Sequence, residues 1–182
     1  SQFIQGLAGN VRPRVLADLD AGVFRAARPD DVIQAGEALA RDVLAALAQE
    51  GDALTLALAA GAGWMYPRRA LNRCPPLDHW TAMAAREDEL SHNVGAYWAR
   101  RTGSGRPLPP VLPMEIGLLQ IAPGRCIAWL NAEAVAEWLP LLRAALDDPA
   151  LIVWGYCQDV STYLPTDALL DEGGYEVIDA NW

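Results

Sequence analysis

Between Met114 and Tyr156 the chain reads as a hairpin, a helix and a further strand, and that order leaves few topologies open. Met114 to Ile121 is a run of β-formers, Pro123-Gly124 marks a turn, and Arg125 to Leu130 supplies an antiparallel partner. Asn131-Ala132-Glu133 leads into a helix expected from about Ala134 to Leu146, with Pro140 kinking it or delaying its regular start. After Asp147-Asp148-Pro149, the uncharged run Leu151, Ile152, Val153, Trp154 and Tyr156 has the make-up of a buried strand. Strand, helix and strand in succession imply a right-handed parallel crossover, which puts the strand ends at Leu130 and Tyr156 on one edge. The expected fold class is therefore α/β, a mixed sheet with flanking helices. Ligands of open α/β sheets sit at the carboxyl ends of strands, so the loops after these two strands are candidate site walls.

A length of 182 residues with 52% hydrophobic and 20% charged content suits one domain, and no repeat or linker divides it. The formal charge is −9 and the basic residues are arginines without a lysine, scattered apart from Arg68-Arg69 and Arg100-Arg101. A nucleic-acid or anionic-membrane face needs clustered cations, so neither partner is expected. Cys74, Cys126 and Cys157 show no CxxC spacing and read as small buried apolar residues. No apolar run reaches the length of a membrane span. The opening Ser1-Gln2-Phe3-Ile4 already has the character of structured sequence, which suggests an excerpt of a longer domain.

Gln2 to Gln5 resembles the end of a strand, and the loop after it, Gly6 to Arg14, holds two glycines, Asn10 and Pro13. If that strand is parallel to the crossover pair, the Gly9-Asn10 loop reaches the same edge. A helix is expected from Asp30-Asp31 to about Glu50, with Val32, Gly36, Leu39, Val43, Leu44 and Leu47 on one stripe. Leu54, Leu56 and Leu58 alternate as in a strand, Gly61 to Pro76 reads as a surface excursion, and Leu77 to Arg101 as a helical stretch breaking near Ser91 or Gly95. His79 and His92 lie in that stretch at no metal-ligand spacing. Gly103 to Pro113 is a Gly/Pro-rich connection.

Several residues past the crossover strands carry possible chemistry, each beside a plainer reading. Glu133, at an expected helix start, complements the dipole or serves as metal ligand or general base. Tyr163 is a packing residue with a wet hydroxyl or, beside a cation, a phenolate-like ligand. Asp159 is a candidate substrate-binding residue or the start of an Asx turn. Gly173-Gly174 ends a short helix.

Three segments together resemble the neutral/alkaline non-lysosomal ceramidase family: Gln2 through Gly9-Asn10-Val11-Arg12-Pro13, Leu130-Asn131-Ala132-Glu133, and Gly155-Tyr156 through Tyr163-Leu164-Pro165-Thr166 to Gly173-Gly174-Tyr175-Glu176. They stand in the family's order, and the closing GGYE is the most specific of them. The resemblance implies that residues 1–182 are one domain, the C-terminal portion of a larger ceramidase-like catalytic domain. It implies a zinc-dependent hydrolase of a small-molecule or lipid-like amide, with the ion held by Glu133, Tyr163 and two histidines from earlier in the domain. Asn10 and Arg12 then fall at catalytic positions, and Gly9 at a substrate-binding one. Two departures stand out. Asn131-Ala132 replaces the family's Pro-Gly, and Arg12 replaces its serine, which an arginine cannot match as a nucleophile; a guanidinium there suits an anionic substrate group or a structural ion pair. With Glu133 and Tyr163 alone a tetrahedral zinc site is half built, so the chain by itself is expected to bind zinc weakly and to be inactive. The alternative is a non-catalytic binding or scaffold domain that keeps the fold. A third reading makes Ser1 an N-terminal nucleophile. Oligomeric state is left open.

Overall fold

The computed structural model describes residues 4–51, 53–68, 74–106, 108–160 and 162–178. Its centre is a mixed four-stranded sheet in the order β3-β4-β5-β7, formed by Ala59–Met65, Met114–Ala122, Arg125–Leu130 and Ile152–Trp154. The first three strands are antiparallel neighbours, and β5 and β7 are parallel, with Ala128 opposite Val153. The fold is α/β with helices flanking this sheet, as the hairpin and crossover pattern led one to expect. Gly117 of β4 faces Trp129 of β5, and any Cβ at 117 would run into the indole. The missing side chain therefore makes room for the cross-strand ring.

The crossover contains two elements where one helix was expected. Glu133–Ala134 forms a short strand, β6, paired in parallel with β8, Tyr163–Leu164, and the helix α4 starts only at Trp138 and ends at Ala145. Glu133 is thus a strand residue and not a helix-capping carboxylate. The ladder explains the correction: the Glu133 amide donates to Thr162 O at 3.0 Å and the Val135 amide to Leu164 O at 3.3 Å, so the backbone here is committed to extended pairing. Pro140 does delay the helix, falling in the first turn of α4, where its absent N–H forfeits no intrahelical bond. Leu139 and Leu142 of α4 pack with Leu7 and Leu164 on the buried cluster Ala128, Leu130, Ala134, Leu151 and Val153. Each large aliphatic side chain sealed there contributes about 1.5–3 kcal/mol from the area it removes from water.

Three expectations change elsewhere. Residues 54–58, apart from bonds of the Ala57 amide to Ile121 O at 3.0 Å and of Gln120 Nε2 to Ala57 O at 3.2 Å, lie outside the sheet, and the strand is the small-residue run β3 that follows. Backbone pairing to β4 over seven residues outweighs the poor strand propensity of Ala and Gly. The expected surface excursion from Gly61 consequently starts only after Met65; residues 69–73 lie outside the described residues. The long helical stretch is two helices, α2 (Leu77–Ala84) and α3 (Glu89–Gly103), divided before Ser91 because the Asp88 carboxylate caps α3 by accepting from the Ser91 amide at 2.8 Å. Gly95 marks where the two helices touch, since a Cβ there would lie 2.7 Å from the Met83 carbonyl carbon. Trp80, fully buried, stacks on Trp98 at 5.8 Å and donates its Nε1 to Pro75 O at 3.1 Å.

The first helix, α1 (Pro29–Leu47), begins close to the expected Asp30-Asp31 and stops short of Glu50. Its stripe residues Val32, Leu39, Val43, Leu44 and Leu47 are exposed, so the amphipathic pattern marks an apolar surface here rather than a core contact. The helix is tied at its start, where Asp31 is paired with Arg25 at 2.7 Å and accepts from the Arg28 amide at 2.8 Å. Before it come a 3-10 turn at Arg14–Leu16 and a small hairpin of β1 (Ala17–Asp18) and β2 (Val23–Phe24), for which the sequence carried no expectation. The expected strand at Gln2 to Gln5 falls partly outside the described residues, as does Ser1; Ile4 and Gln5 are not in a strand, although Gln5 O accepts from the Gly155 amide at 3.1 Å. The short helix α5 (Asp167–Glu172) ends at Gly173, whose φ of 80° a Cβ would resist, and α6 (Tyr175–Ile178) follows.

Candidate functional site

Three separated segments meet at one end of the sheet. The first is the loop at Gly9, whose amide donates to Ala134 O at 2.9 Å and which lies against the β6 backbone. Asn10 fixes the loop more firmly: its Oδ1 accepts from the Ala136 amide at 2.9 Å, and its Nδ2 donates to both Glu137 oxygens at 2.9 and 2.8 Å. The second and third segments are β6 and β8, whose register sets Glu133 directly against Tyr163. Together with Tyr175 and Glu176 of α6, Ala8 through Pro13, Glu133 and Tyr163 enclose a cavity of about 250 Å³. Tyr163 and Tyr175, both lining it, meet edge to face with centroids 5.8 Å apart.

Glu133 is the hub. The Tyr156 hydroxyl donates to its Oε1 at 3.1 Å. Burial first, and then the Glu133 carboxylate, push the Tyr156 phenol up to about 12 and raise that of Tyr163 as well. The shifts deepen the protonation a phenol already has at neutral pH, and the Tyr156 hydroxyl serves as donor to Glu133. Tyr156 has a φ of 58°, a left-handed conformation costly for a bulky side chain. Its amide donates to Ala132 O and the next amide, of Cys157, to Leu130 O, and these bonds hold the turn that brings the phenol back over Glu133.

Of the residues singled out from the sequence, Gly9, Asn10, Arg12, Glu133 and Tyr163 all line this cavity. Asp159 does not; it is exposed on the loop after β7 and absent from the wall. Carboxylate and phenol oxygens are donors zinc accepts, yet they amount to two of four positions. Among the described residues no group of three His, Cys, Asp or Glu side chains is placed to hold a metal. His92 lies elsewhere, with Nδ1 at 2.6 Å from Ala84 O, and His79 is on α2 against Trp80. Sequence reasoning did not anticipate Tyr156, taken for a strand residue, nor Tyr175, Glu176 and Glu137 as parts of the site. The Gly173-Gly174-Tyr175-Glu176 run carried a signal for two of them; Tyr156 stands at the start of the same resembling segment, but its left-handed conformation, which turns the phenol to Glu133, leaves no mark in composition. Comparison of the chain with protein families, with curated proteins and with solved structures finds no match.

Proposed function

We propose that this chain is the later portion of a ceramidase-like, zinc-dependent hydrolase domain acting on a small-molecule or lipid-like amide or a related carbonyl. The observation that carries this reading is the pairing of Glu133 with Tyr163 in register on β6 and β8, at a cavity walled by the Gly9-Asn10 loop. Glu133 and Tyr163 would hold the ion, with its remaining ligands supplied from outside the described residues. Bound zinc supplies a polarised carbonyl and an acidified water. The chain's own residues do the positioning: Tyr156 donates to Glu133 and orients it, and Asn10 clamps the loop to the start of the crossover helix. Arg12 stands where the family it resembles has its serine, so nucleophilic attack by a hydroxyl at that position is not part of the reading.

A second reading, a binding domain that keeps the fold without the chemistry, draws on the same Arg12 and on the two-donor set. Titrating zinc into the chain while following phenolate absorbance separates them. The hydrolase reading expects weak, millimolar binding that deprotonates a tyrosine and is abolished in Glu133→Gln and in Tyr163→Phe. A phenolate signal that never appears, or that survives Glu133→Gln, sinks it.

A further inference from the structure

The cavity beside Glu133 holds both signs of charge without letting them collapse onto each other. Arg12 lines it from one segment, and Glu133 and Glu176 from two others. Among the described residues the Arg12 guanidinium forms no ion pair and no side-chain hydrogen bond, and neither does the Glu176 carboxylate. Glu133 is already engaged by the Tyr156 hydroxyl. The unpaired cation is held on a fixed stretch of backbone: Asn10, two residues before it, is anchored by three hydrogen bonds, and Pro13, directly after it, has φ −57° and precedes the 3-10 turn. The backbone is thus fixed on both sides of Arg12, and a cation and carboxylates that line one cavity without pairing can be bridged by a ligand that carries both complementary charges. A guanidinium accepts a planar carboxylate through two parallel N–H bonds, and a free carboxylate accepts an ammonium.

Size narrows the ligand further. At about 250 Å³ the space is smaller than the roughly 300 Å³ from which drug-sized pockets begin, and the Tyr163 and Tyr175 rings form part of its wall. We propose that this cavity binds a small zwitterion of the α-amino-acid kind, its carboxylate on Arg12, its ammonium on Glu176 and its side chain against the two tyrosine rings. This binding needs no metal and does not rest on the hydrolase reading. A bare anion is disfavoured by the two carboxylates in the same wall, and a bare amine by the guanidinium.

The probes are L-leucine, N-acetyl-L-leucine, which lacks the ammonium, and L-leucinamide, which lacks the carboxylate, each titrated into the whole chain by calorimetry and by saturation-transfer NMR without added metal. L-leucine should bind, and each analogue should bind about tenfold more weakly or worse, the loss expected for one charge-assisted contact. Arg12→Gln should abolish the preference for L-leucine over L-leucinamide and leave the preference over N-acetyl-L-leucine. Glu176→Gln should do the converse. Neither side chain has a partner among the described residues, so their replacement should leave the melting temperature in place; should either variant unfold, the three-probe comparison on the parent chain still decides. No binding of L-leucine at millimolar concentration, equal binding of all three probes, or a preference unchanged by Arg12→Gln overturns the proposal.

Discussion

Replacing Gly9 by alanine tests whether the loop and β6 are in the close backbone contact on which the site depends. A Cβ at this position would sit 2.6 Å from Glu133 O and 3.0 Å from both the carbonyl carbon and oxygen of Ala134. All three are backbone atoms of a strand pinned by β8, so no flexible side chain can yield. Overpacking of this sort costs about 1–3 kcal/mol, and the lower chain entropy of alanine in the unfolded state returns about 0.4–1 kcal/mol. With all three contacts on backbone the cost falls in the upper part of that range, about 2–3 kcal/mol, so the net loss is about 1–2.6 kcal/mol, which in a domain of this size lowers the melting temperature by about 2–10 °C. Circular-dichroism melts read the shift, and amide exchange of residue 9, whose N–H donates to Ala134 O, should quicken with it. Gly36→Ala is the matched control: it lies inside α1 with nothing within 4 Å, so the same change should stabilise by about 0.5–1 kcal/mol. A Gly9→Ala chain that melts at or above the parent temperature, with residue 9 still protected, would refute the close approach.

Other expectations follow from the same contacts. Asn10→Ala should cost about 1–3 kcal/mol by leaving Glu137 and the Ala136 amide without their partner, and Asn10→Asp should be worse at neutral pH, recovering on acidification as the new pair of carboxylates takes up a proton; melts across pH report both. Because the folded Tyr156 and Tyr163 phenols titrate above the unfolded value of about 10, their contribution is complete below that pH and is lost as pH climbs from 10 through their raised values. Alkaline denaturation should show this, and Glu133→Gln should lower both titrations in an absorbance scan. The Asp31 carboxyl is held well below its usual range, chiefly by its bonds to Arg25 and the Arg28 amide, so its contribution to stability is complete above about pH 4 and is lost progressively as pH falls from there through the lowered value; limited proteolysis within α1 should accelerate over that window, and Arg25→Gln should flatten the dependence. Trp80→Ala, at a fully buried ring, should cost about 3–5 kcal/mol and separate α2 from α3.

What could be read from the sequence was whatever announces itself by period or by turn chemistry. The hairpin at Pro123-Gly124 and the parallel strand at Val153 were legible because short uncharged runs of β-formers bounded by turn residues point to buried strands. The crossover brought the loops that carry Glu133 and Tyr163 to one sheet edge, but their direct pairing on β6 and β8 was not legible. The strand β3 was not legible: Ala-Ala-Gly-Ala-Gly-Trp-Met gives no alternation, and its place in the sheet comes from backbone bonds to a partner some fifty residues away. The leucines at 54, 56 and 58 alternate convincingly yet find no strand to join. The helix expected from Ala134 lost its first turn because the carbonyls of Thr162 and Leu164 captured that backbone, a competition between two distant segments that local propensity cannot weigh. The role of Tyr156 depends on a single positive φ.

In the register of β3 and β4, Met65 lies directly opposite Met114, and beyond that pair the two strands stay together, with an isolated bridge from Arg68 to Val111 and the Leu112 amide donating to Pro67 O. The α2–α3 hairpin is therefore carried on a two-stranded stem whose ends are already adjacent. In evolutionary terms it is a cassette: the helical pair can be lengthened, exchanged or trimmed to a tight turn while the sheet, and the cavity assembled at Glu133, keep their frame. Variation among relatives of such a chain would be expected to gather in that insert and to spare the strands that bear it.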